Sequence, residues 1–376
     1  MREILIVCGA GMVSGKEIMA LELGNGLAQQ GQSVSFIVSF WSSGDFGDRL
    51  KLLRLPAYIL PIGFISATLT KRCLSMTAEQ IWRWPGLVWG YFQVLRRLRP
   101  KKVIHTNWHH VLLLLPFLRP ERDVFWLHDL IPDLPQYRRV FGWFERRLDS
   151  FVCVSQATAC SLRKIGISES KIRVIHNGIT DPASSADPPP PPSQCFRIGI
   201  VGQVGAWKGH GDLLEAFALV ARRHSAVELH IFGKGAARYK NELIQRGVEL
   251  GVADWVKWHD FVSDRRHIYP NLDVCVMPSK TTEAFPLTAI EAGFFGKPAI
   301  VTRVGGLPEI VEHEVNGLLV EAGRPEEIAV AISRLIEYPS FRLLLGANAR
   351  LRAIERFGRE RLVEEFRTLL NAESAN

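Results

Sequence analysis

The sequence lacks the groupings of cysteine and histidine that hold structural metals. None of its six cysteines forms a Cys-x-x-Cys pair, and no histidines at metal-binding spacing accompany them. It also lacks an uncharged apolar run of the roughly 18 residues that a membrane-spanning helix needs. The longest candidate, residues 55–69, is interrupted by Pro56, Pro61 and Gly63. These absences argue against a disulfide framework, a zinc site and a membrane span, and they favour a cytoplasmic location.

Acidic residues are scarce in one part of the chain. The net charge of +8 resides in residues 1–190, because residues 191–376 hold equal numbers of acidic and basic side chains. Residues 49–102 combine many lysines and arginines with several tryptophans, and their sole acid is Glu79. Such a mixture is typical of a surface that touches an anionic membrane, so we expect peripheral association with the inner face of the cytoplasmic membrane.

A second explanation for residues 49–102 is a basic, solvated helix whose aromatic side chains face the core. Nucleic acid could also attract the charge, but no nucleic-acid-binding motif accompanies it, and we expect no such partner.

Both halves of the chain alternate short apolar runs with helical patterns, which predicts parallel sheets covered by helices. Predicted strands of the first half lie at 4–8, 34–40, 103–105, 124–127, 151–154 and 172–175. Those of the second half lie at 197–201, 228–232, 274–277 and 299–302. Five consecutive prolines, 188–192, separate the halves, since such a run is stiff and extended.

We therefore predict two Rossmann-like α/β domains with a cleft between the carboxyl ends of their strands. The N-terminal domain spans 1–185, a Pro-rich linker spans 186–193, and the second domain spans 194–352. A helical segment, 353–376, can pack back on the N-terminal domain.

The most informative motif is residues 283–291, in which Glu283 and Glu291 bracket a predicted helix start at Pro286. Unpaired amides at a helix N-terminus suit a diphosphate, and each carboxylate can face one end of an extended ligand. Pro286 fits as the first helical residue. The alternative is a solvated helix with two ordinary surface glutamates.

Three further segments follow predicted strands. Residues 202–209 form a glycine-containing loop with Lys208, which could hold a phosphate, although the spacing matches neither a P-loop nor a dinucleotide fingerprint. The glycines of residues 9–17 permit close backbone approach to a ligand, or serve only the turn. His128 and Asp129 end the strand at 124–127, where a ligand is expected, although a lone histidine can be structural.

In order and spacing, these segments resemble the GT4-type family of GT-B-fold retaining glycosyltransferases over nearly the whole chain. Glu283 and Glu291 match the family pattern E-x7-E, and residues 202–209 match G-R-x4-K-G. The remaining matches are residues 14–17, resembling G-G-x-E, and the segments 154–155, 174–179, 304–311 and 316–320.

The resemblance implies transfer of a hexose-type sugar from a nucleotide-sugar, with a UDP-sugar as first choice. The acceptor would be a hydroxyl of a glycan or lipid-linked molecule in cell-envelope or exopolysaccharide synthesis. Glu283 would contact the hydroxyls of the donor sugar and Glu291 the ribose. Lys208 would neutralise the diphosphate.

The family pattern assigns further donor contacts to the amides of Leu287 and Thr288, and it places Phe285 and Gln203 in the same site. Gly15 would let the first-domain backbone approach the diphosphate. The segment 258–262 would meet the base.

On the acceptor side the resemblance places Lys16, Asn107, His128 and Asp129, with His128 near the reacting carbon. Glu283, Lys208 and His128 are therefore the candidate catalytic residues. No Asp-x-Asp sequence occurs, so we expect neither a metal nor another cofactor.

Two positions depart from the family pattern. Gln203 stands where many members have arginine, and Pro286 stands where many have glycine, which removes one charge and one backbone donor from the phosphate site. These departures leave open a non-catalytic nucleotide-sugar-binding module. A nucleotide-sugar epimerase or hydrolase also stays open, because that class of enzyme shares the architecture.

Overall fold

The computed structural model of the chain describes residues 3–9, 13–41, 44–65, 71–184, 194–281 and 283–372. It divides into two compact units. The first comprises residues 1–179 with 359–376, and the second comprises residues 180–358. The predicted linker at 186–193 lies outside the described residues.

The first unit is built on a parallel sheet that has seven strands among the described residues, in the order β3-β2-β1-β4-β5-β6-β7. Its strands are β1 (Glu3–Val7), β2 (Ser33–Ser39), β3 (Ala57–Leu60), β4 (Lys102–His105), β5 (Asp123–Leu127), β6 (Ser150–Cys153) and β7 (Ile172–Val174). Its helices are α1 (Gly15–Gln29), α2 (Gly44–Leu52), α3 (Lys71–Leu98), α4 (Trp108–Leu113), α5 (Pro135–Glu145) and α6 (Gln156–Lys164).

The second unit repeats this design with a parallel sheet of six strands in its described part, in the order β10-β9-β8-β11-β12-β13. Its strands are β8 (Phe196–Val201), β9 (Val227–Phe232), β10 (Val256–His259), β11 (Val274–Met277), β12 (Ala299–Thr302) and β13 (Gly317–Val320). Its helices are α7 (His210–Ala221), α8 (Ala237–Glu249), α9 (Leu287–Phe294), α10 (Leu307–Ile310), α11 (Pro325–Glu337) and α12 (Pro339–Phe357).

The predicted parallel α/β architecture is therefore confirmed in each unit. Central strands such as β5 and β11 are buried along their whole length, as expected where helices cover both faces of a parallel sheet. The sequence patterns missed the short edge strands β3, β10 and β13, and residues 258–259 end strand β10 rather than beginning a loop.

The C-terminal helix, α13 (Arg359–Asn371), returns to the first unit and packs on α1. A β-carbon added to Gly26 would lie 2.3 Å from Val363, and the Phe366 ring meets Trp126 edge-on at 4.7 Å. The predicted start of this segment, residue 353, lies inside α12, because α12 continues to Phe357 while packing on α9.

No helix within the described ranges combines the length and the apolar composition that a bilayer span requires.

We predict that Phe366→Ala lowers the free energy of unfolding by about 3–5 kcal/mol, because the fully buried ring leaves a cavity beside Trp126. Leu343→Ala is the control: this side chain is 70% exposed on α12, and its loss should change stability by less than about 0.5 kcal/mol. Urea denaturation measures both. Equal effects of the two substitutions would contradict the assigned docking of α13.

Candidate functional site

Three loops of the second unit meet at the carboxyl ends of neighbouring strands. Residues 202–209 follow β8, residues 278–286 follow β11 and residues 303–306 follow β12. Because these strands are parallel and adjacent, their carboxyl ends lie at one edge of the sheet. This edge brings together the predicted lysine loop and the first of the two predicted glutamates.

Lys208 and Glu283 form an ion pair at this edge. The Lys208 Nζ atom lies 2.5 Å from Oε1 of Glu283, and the Ser279 hydroxyl donates to the same oxygen at 2.6 Å. The Thr302 hydroxyl in turn donates to the Ser279 carbonyl at 2.7 Å. Glu283 is buried and Lys208 is half-buried, so the carboxylate is fixed while the ammonium group keeps a solvent-facing side. Ser279 and Thr302 carried no signal of this role in the sequence.

Two glycines in left-handed conformations allow these loops to approach each other. Gly209 has φ 74°, and a β-carbon there would lie 1.9 Å from the Pro278 carbonyl oxygen. Gly305 has φ 56°, and a β-carbon there would lie 1.9 Å from the Glu283 carbonyl oxygen. Any other residue would push the loops apart, so the ion pair depends on glycine at both positions.

Helix α9 begins beside Glu283. Pro286 was predicted as the first helical residue, but its ψ of 123° makes it the N-cap, and the helix starts at Leu287. The amides of Leu287 and Thr288 belong to the first turn, where the helix itself supplies no acceptor. The Thr288 hydroxyl points to the Met277 sulfur at 3.7 Å.

Two further predicted donor contacts of this unit, Phe285 and Gln203, differ in their exposure. Phe285 is buried and packs edge-on against Phe357, with ring centroids 5.7 Å apart, so its side chain anchors the loop to α12. Gln203 is exposed in the lysine loop.

Glu291 lies on the buried side of α9 with two partners that the sequence did not reveal. Arg265 Nε and the Tyr269 hydroxyl lie 2.9 and 2.7 Å from Oε2 of Glu291. Burial and the Glu291 carboxylate raise the pKa of Tyr269 well above its usual value, so it remains a hydrogen-bond donor. Burial alone would lower the pKa of Arg265, but Glu291 raises it, so the guanidinium stays charged.

Aromatic rings line the ends of β9 and β10. His259 stacks on Phe232 with centroids 4.2 Å apart and planes 7° from parallel. His230 Nδ1 lies 3.1 Å from His259 Nε2. The segment 258–262, predicted to meet a base, therefore contains one ring, that of His259, that is stacked on Phe232 of the neighbouring strand β9.

In the first unit, the predicted acceptor residues lie at the carboxyl ends of β4 and β5 and at the start of α1. Gly15 is the first residue of α1 and is exposed, next to half-buried Lys16. Asn107 is the N-cap of α4, and its side chain accepts a hydrogen bond from the His109 amide at 2.9 Å. Asp129 is exposed after β5.

His128 is held as a neutral imidazole. Its ring lies 4.5 Å from that of Trp126, and its buried Nε2 has no hydrogen-bond partner among the described residues. Burial, with a contribution from the positive charge of Lys16, lowers the pKa of His128 to about 3. The same two causes lower the pKa of His110, and they lower the pKa of His109 to about 4.

Across the described residues, no three His, Cys, Asp or Glu side chains are grouped as metal ligands.

Comparison with known families agrees with this geometry. The family described as Glycosyltransferase Family 4 matches residues 13–181, and the family described as Glycosyl transferases group 1 matches residues 195–338. The chain belongs to the GT4-type family of GT-B glycosyltransferases. The family resemblance inferred from the motifs is thereby confirmed.

The individual curated relatives align with about half of this GT4-type chain. An uncharacterized glycosyltransferase of Methanocaldococcus jannaschii is 33% identical over 211 residues, which cover 52% of this chain and 53% of that protein. A D-inositol 3-phosphate glycosyltransferase of Saccharomonospora viridis is 31% identical over 183 residues, covering 46% and 42%. The chain thus spans about half the length of the curated relatives it matches.

Among solved structures, Anabaena HepE in complex with UDP superposes with a TM-score of 0.80 at 21% identity, over 98% of this chain and 99% of that one. This likeness confirms the predicted GT-B fold class.

We predict that lowering the pH from about 7 to about 5 reduces the free energy of unfolding. His109, His110 and His128 stay neutral in the folded chain, whereas in the unfolded chain they take up protons near their usual pKa of 6.5. At the lower pH the unfolded state binds more protons than the folded state. The free energy of unfolding therefore falls as the pH falls, by about 1–2 kcal/mol for each such histidine.

Urea denaturation of His109→Gln at both pH values tests this, because the substitution should remove one share of the pH effect. His267→Gln, at a position that is 76% exposed, is the control and should leave the effect unchanged. If the pH effect is equally large in both variants, the assignment to His109 is wrong.

Proposed function

We propose that this protein is a retaining glycosyltransferase that moves a hexose-type sugar from a UDP-sugar to a hydroxyl of a glycan or lipid-linked acceptor. The observation that carries the proposal is the Lys208–Glu283 ion pair beside the N-terminus of α9. A role in cell-envelope or exopolysaccharide synthesis fits such an acceptor.

The spacing of this pair suits the chemistry of the donor. In a nucleotide-sugar, the anomeric carbon and the β-phosphate share one oxygen atom. A cation for the phosphate and a carboxylate for the sugar hydroxyls must therefore lie side by side, as Lys208 and Glu283 do at 2.5 Å. Ser279 keeps Glu283 oriented through its hydroxyl.

The leaving diphosphate would be stabilised by fixed charges and dipoles. Lys208 contributes a full positive charge, and the Leu287 and Thr288 amides contribute the positive end of the α9 dipole. Pro286 lacks an amide hydrogen, so these two residues supply the first donors of the helix. We expect this set to act without a divalent metal or other cofactor.

The nucleotide would extend from the diphosphate towards Glu291. Arg265 and Tyr269 both contact Oε2 of Glu291, which orients the carboxylate and leaves Oε1 for a ribose hydroxyl. The stacked ring of His259 offers a flat surface to a base. Anabaena HepE has been solved with UDP and with UDP-glucose, which supports a uridine nucleotide as the first donor to test.

We assign the acceptor to the first unit. His128 would act there as a neutral hydrogen-bond partner, since its pKa of about 3 excludes an imidazolium at neutral pH. Lys16, Asn107 and Asp129 would complete the acceptor side, and the exposed Gly15 would allow a phosphate to approach the start of α1. In a reaction that retains configuration, the leaving phosphate itself can accept the acceptor's proton on the same face of the sugar.

A transfer assay with UDP-sugars and glycan acceptors tests the proposal, with UDP release measured and the anomeric configuration of the product determined by NMR. We expect acceptor-dependent UDP release and an unchanged anomer. Release of free sugar or an epimer without an acceptor would support the hydrolase or epimerase alternative. Nucleotide binding without turnover would support a binding module.

We predict that Lys208→Ala lowers kcat at least about tenfold, because one charge on the leaving diphosphate is lost. Lys257→Ala, an exposed lysine on β10, is the matched control and should retain full activity. Unaltered kinetics of the Lys208 variant, with the fold verified by circular dichroism, would remove Lys208 from the phosphate site.

We predict that Glu283→Ala impairs sugar transfer more than nucleotide binding. kcat should fall at least about tenfold, while the Kd for UDP should change less than about threefold, because the proposed contact is with the sugar alone. Kinetics and calorimetry on one preparation measure both. Parallel losses in kcat and UDP affinity would argue against placing Glu283 on the sugar.

A further inference from the structure

Helix α3 has apolar side chains on two opposite faces. One face, with Leu87, Tyr91 and Val94, is buried against the core of the first unit. The other face carries an exposed stripe made of Leu74, Ile81, Trp82, Trp89 and Phe92. Trp82 is 85% exposed and Trp89 is 63% exposed, so two of the three tryptophans of the helix lie mainly in solvent.

The exposed stripe is ordered rather than scattered. At about 100° per residue, its five members fall within an arc of about 100°, on the side opposite to the buried face. Single exposed apolar residues are common on protein surfaces, but a set that is aligned along one face of a helix and includes two tryptophans indicates an interaction site.

The charge around this stripe is positive. Glu79 is the one acid in the sequence of α3, and it is paired with Arg83 at 3.0 Å. A groove at the C-terminal end of the helix is lined by Phe92 and by four arginines, Arg96, Arg99, Arg119 and Arg122. None of the described residues that line it is acidic.

Three of these arginines are available to a ligand. Arg122 is neutralised by Asp123, whose carboxylate lies 2.8 Å away, whereas Arg96, Arg99 and Arg119 are exposed. Tryptophan beside arginine is the combination that settles at the level of lipid headgroups, because the ring enters the interface and the guanidinium binds phosphate.

A second copy of the chain would fit this surface less well. The facing stripe of another α3 would bring apolar area, but it would bring no acid besides Glu79 to oppose the arginine groove. An anionic bilayer supplies both an apolar interior and negative phosphates.

We propose that the exposed stripe of α3 inserts into the interface of an anionic bilayer while Arg96, Arg99 and Arg119 bind lipid phosphates. This docking is separate from the donor site and does not depend on the proposed reaction.

Vesicle cosedimentation tests the apolar part of the proposal. Wild type should bind vesicles that contain phosphatidylglycerol at low salt, and Trp82→Ser/Trp89→Ser should bind at least about tenfold more weakly. The control is Trp143→Ser/Trp255→Ser, which removes two tryptophans of 46% and 44% exposure from α5 and from the segment before β10. It should bind like wild type. All of these side chains are exposed, so circular dichroism should show no change of fold.

The charge part is tested with Arg96→Gln/Arg99→Gln against Arg222→Gln/Arg223→Gln, an exposed arginine pair of the second unit. The first variant should lose affinity for phosphatidylglycerol vesicles and the second should keep it. Wild type should bind pure phosphatidylcholine vesicles more weakly than anionic ones.

Three results would overturn the proposal. The first is no binding of wild type to anionic vesicles at low salt. The second is an equal affinity of the Trp82→Ser/Trp89→Ser variant and its control. The third is a wild-type dimer in gel filtration that this variant dissociates without lipid, which would show that the stripe is a protein interface.

Discussion

The ion pair between Lys208 and Glu283 organises the proposed donor site, and it rests on contacts of the backbone. Lys208 reaches Glu283 because Gly209 has no β-carbon, which would lie 1.9 Å from the Pro278 carbonyl oxygen. Gly305 permits a similarly close approach to the Glu283 carbonyl oxygen. The charges would be worth little if the loops were free, since the gain from oriented charges depends on their being fixed before the ligand arrives.

The second carboxylate, that of Glu291, is likewise held in place by its neighbours. Glu291 would be costly to bury alone, but Arg265 and Tyr269 compensate its charge and fix one of its oxygens. The two glutamates are thus held in place by different kinds of partner. Glu283 is held by a lysine that the proposed diphosphate would share, whereas Glu291 is held by residues that lie in another segment of the second unit.

Much of this could be predicted from the sequence, for physical reasons. Central strands such as β11 and β12 were predicted with their observed bounds, because a buried parallel strand is a continuous apolar run between turn residues. Lys208 and Glu283 were each singled out from a motif as donor contacts. Their ion pair was not predicted, because it arises from the adjacency of β8 and β11 in the sheet. Arg265 and Tyr269 escaped prediction because their link to Glu291 is tertiary, and no local pattern marks it.

Helix α3 shows a different limit of prediction from the sequence. Its apolar residues lie on two faces and Pro85 falls within it, so the simple amphipathic period that identifies a surface helix is obscured. Composition alone indicated a basic, aromatic surface, and it left open whether the aromatic rings face the core. The structure answers that question residue by residue: Tyr91 faces inward, and Trp82 and Trp89 face outward.

Calorimetric titration with UDP tests whether the edge formed by β8, β11 and β12 with α9 holds a nucleotide-sugar. Wild type should bind UDP, and Glu291→Gln should bind at least about tenfold more weakly, because glutamine keeps the shape but loses the charge that holds the ribose. Glu312→Gln, an exposed glutamate of the same unit, is the control and should bind like wild type. No binding of UDP, GDP or ADP to wild type, or full binding by Glu291→Gln, would contradict this placement of the nucleotide.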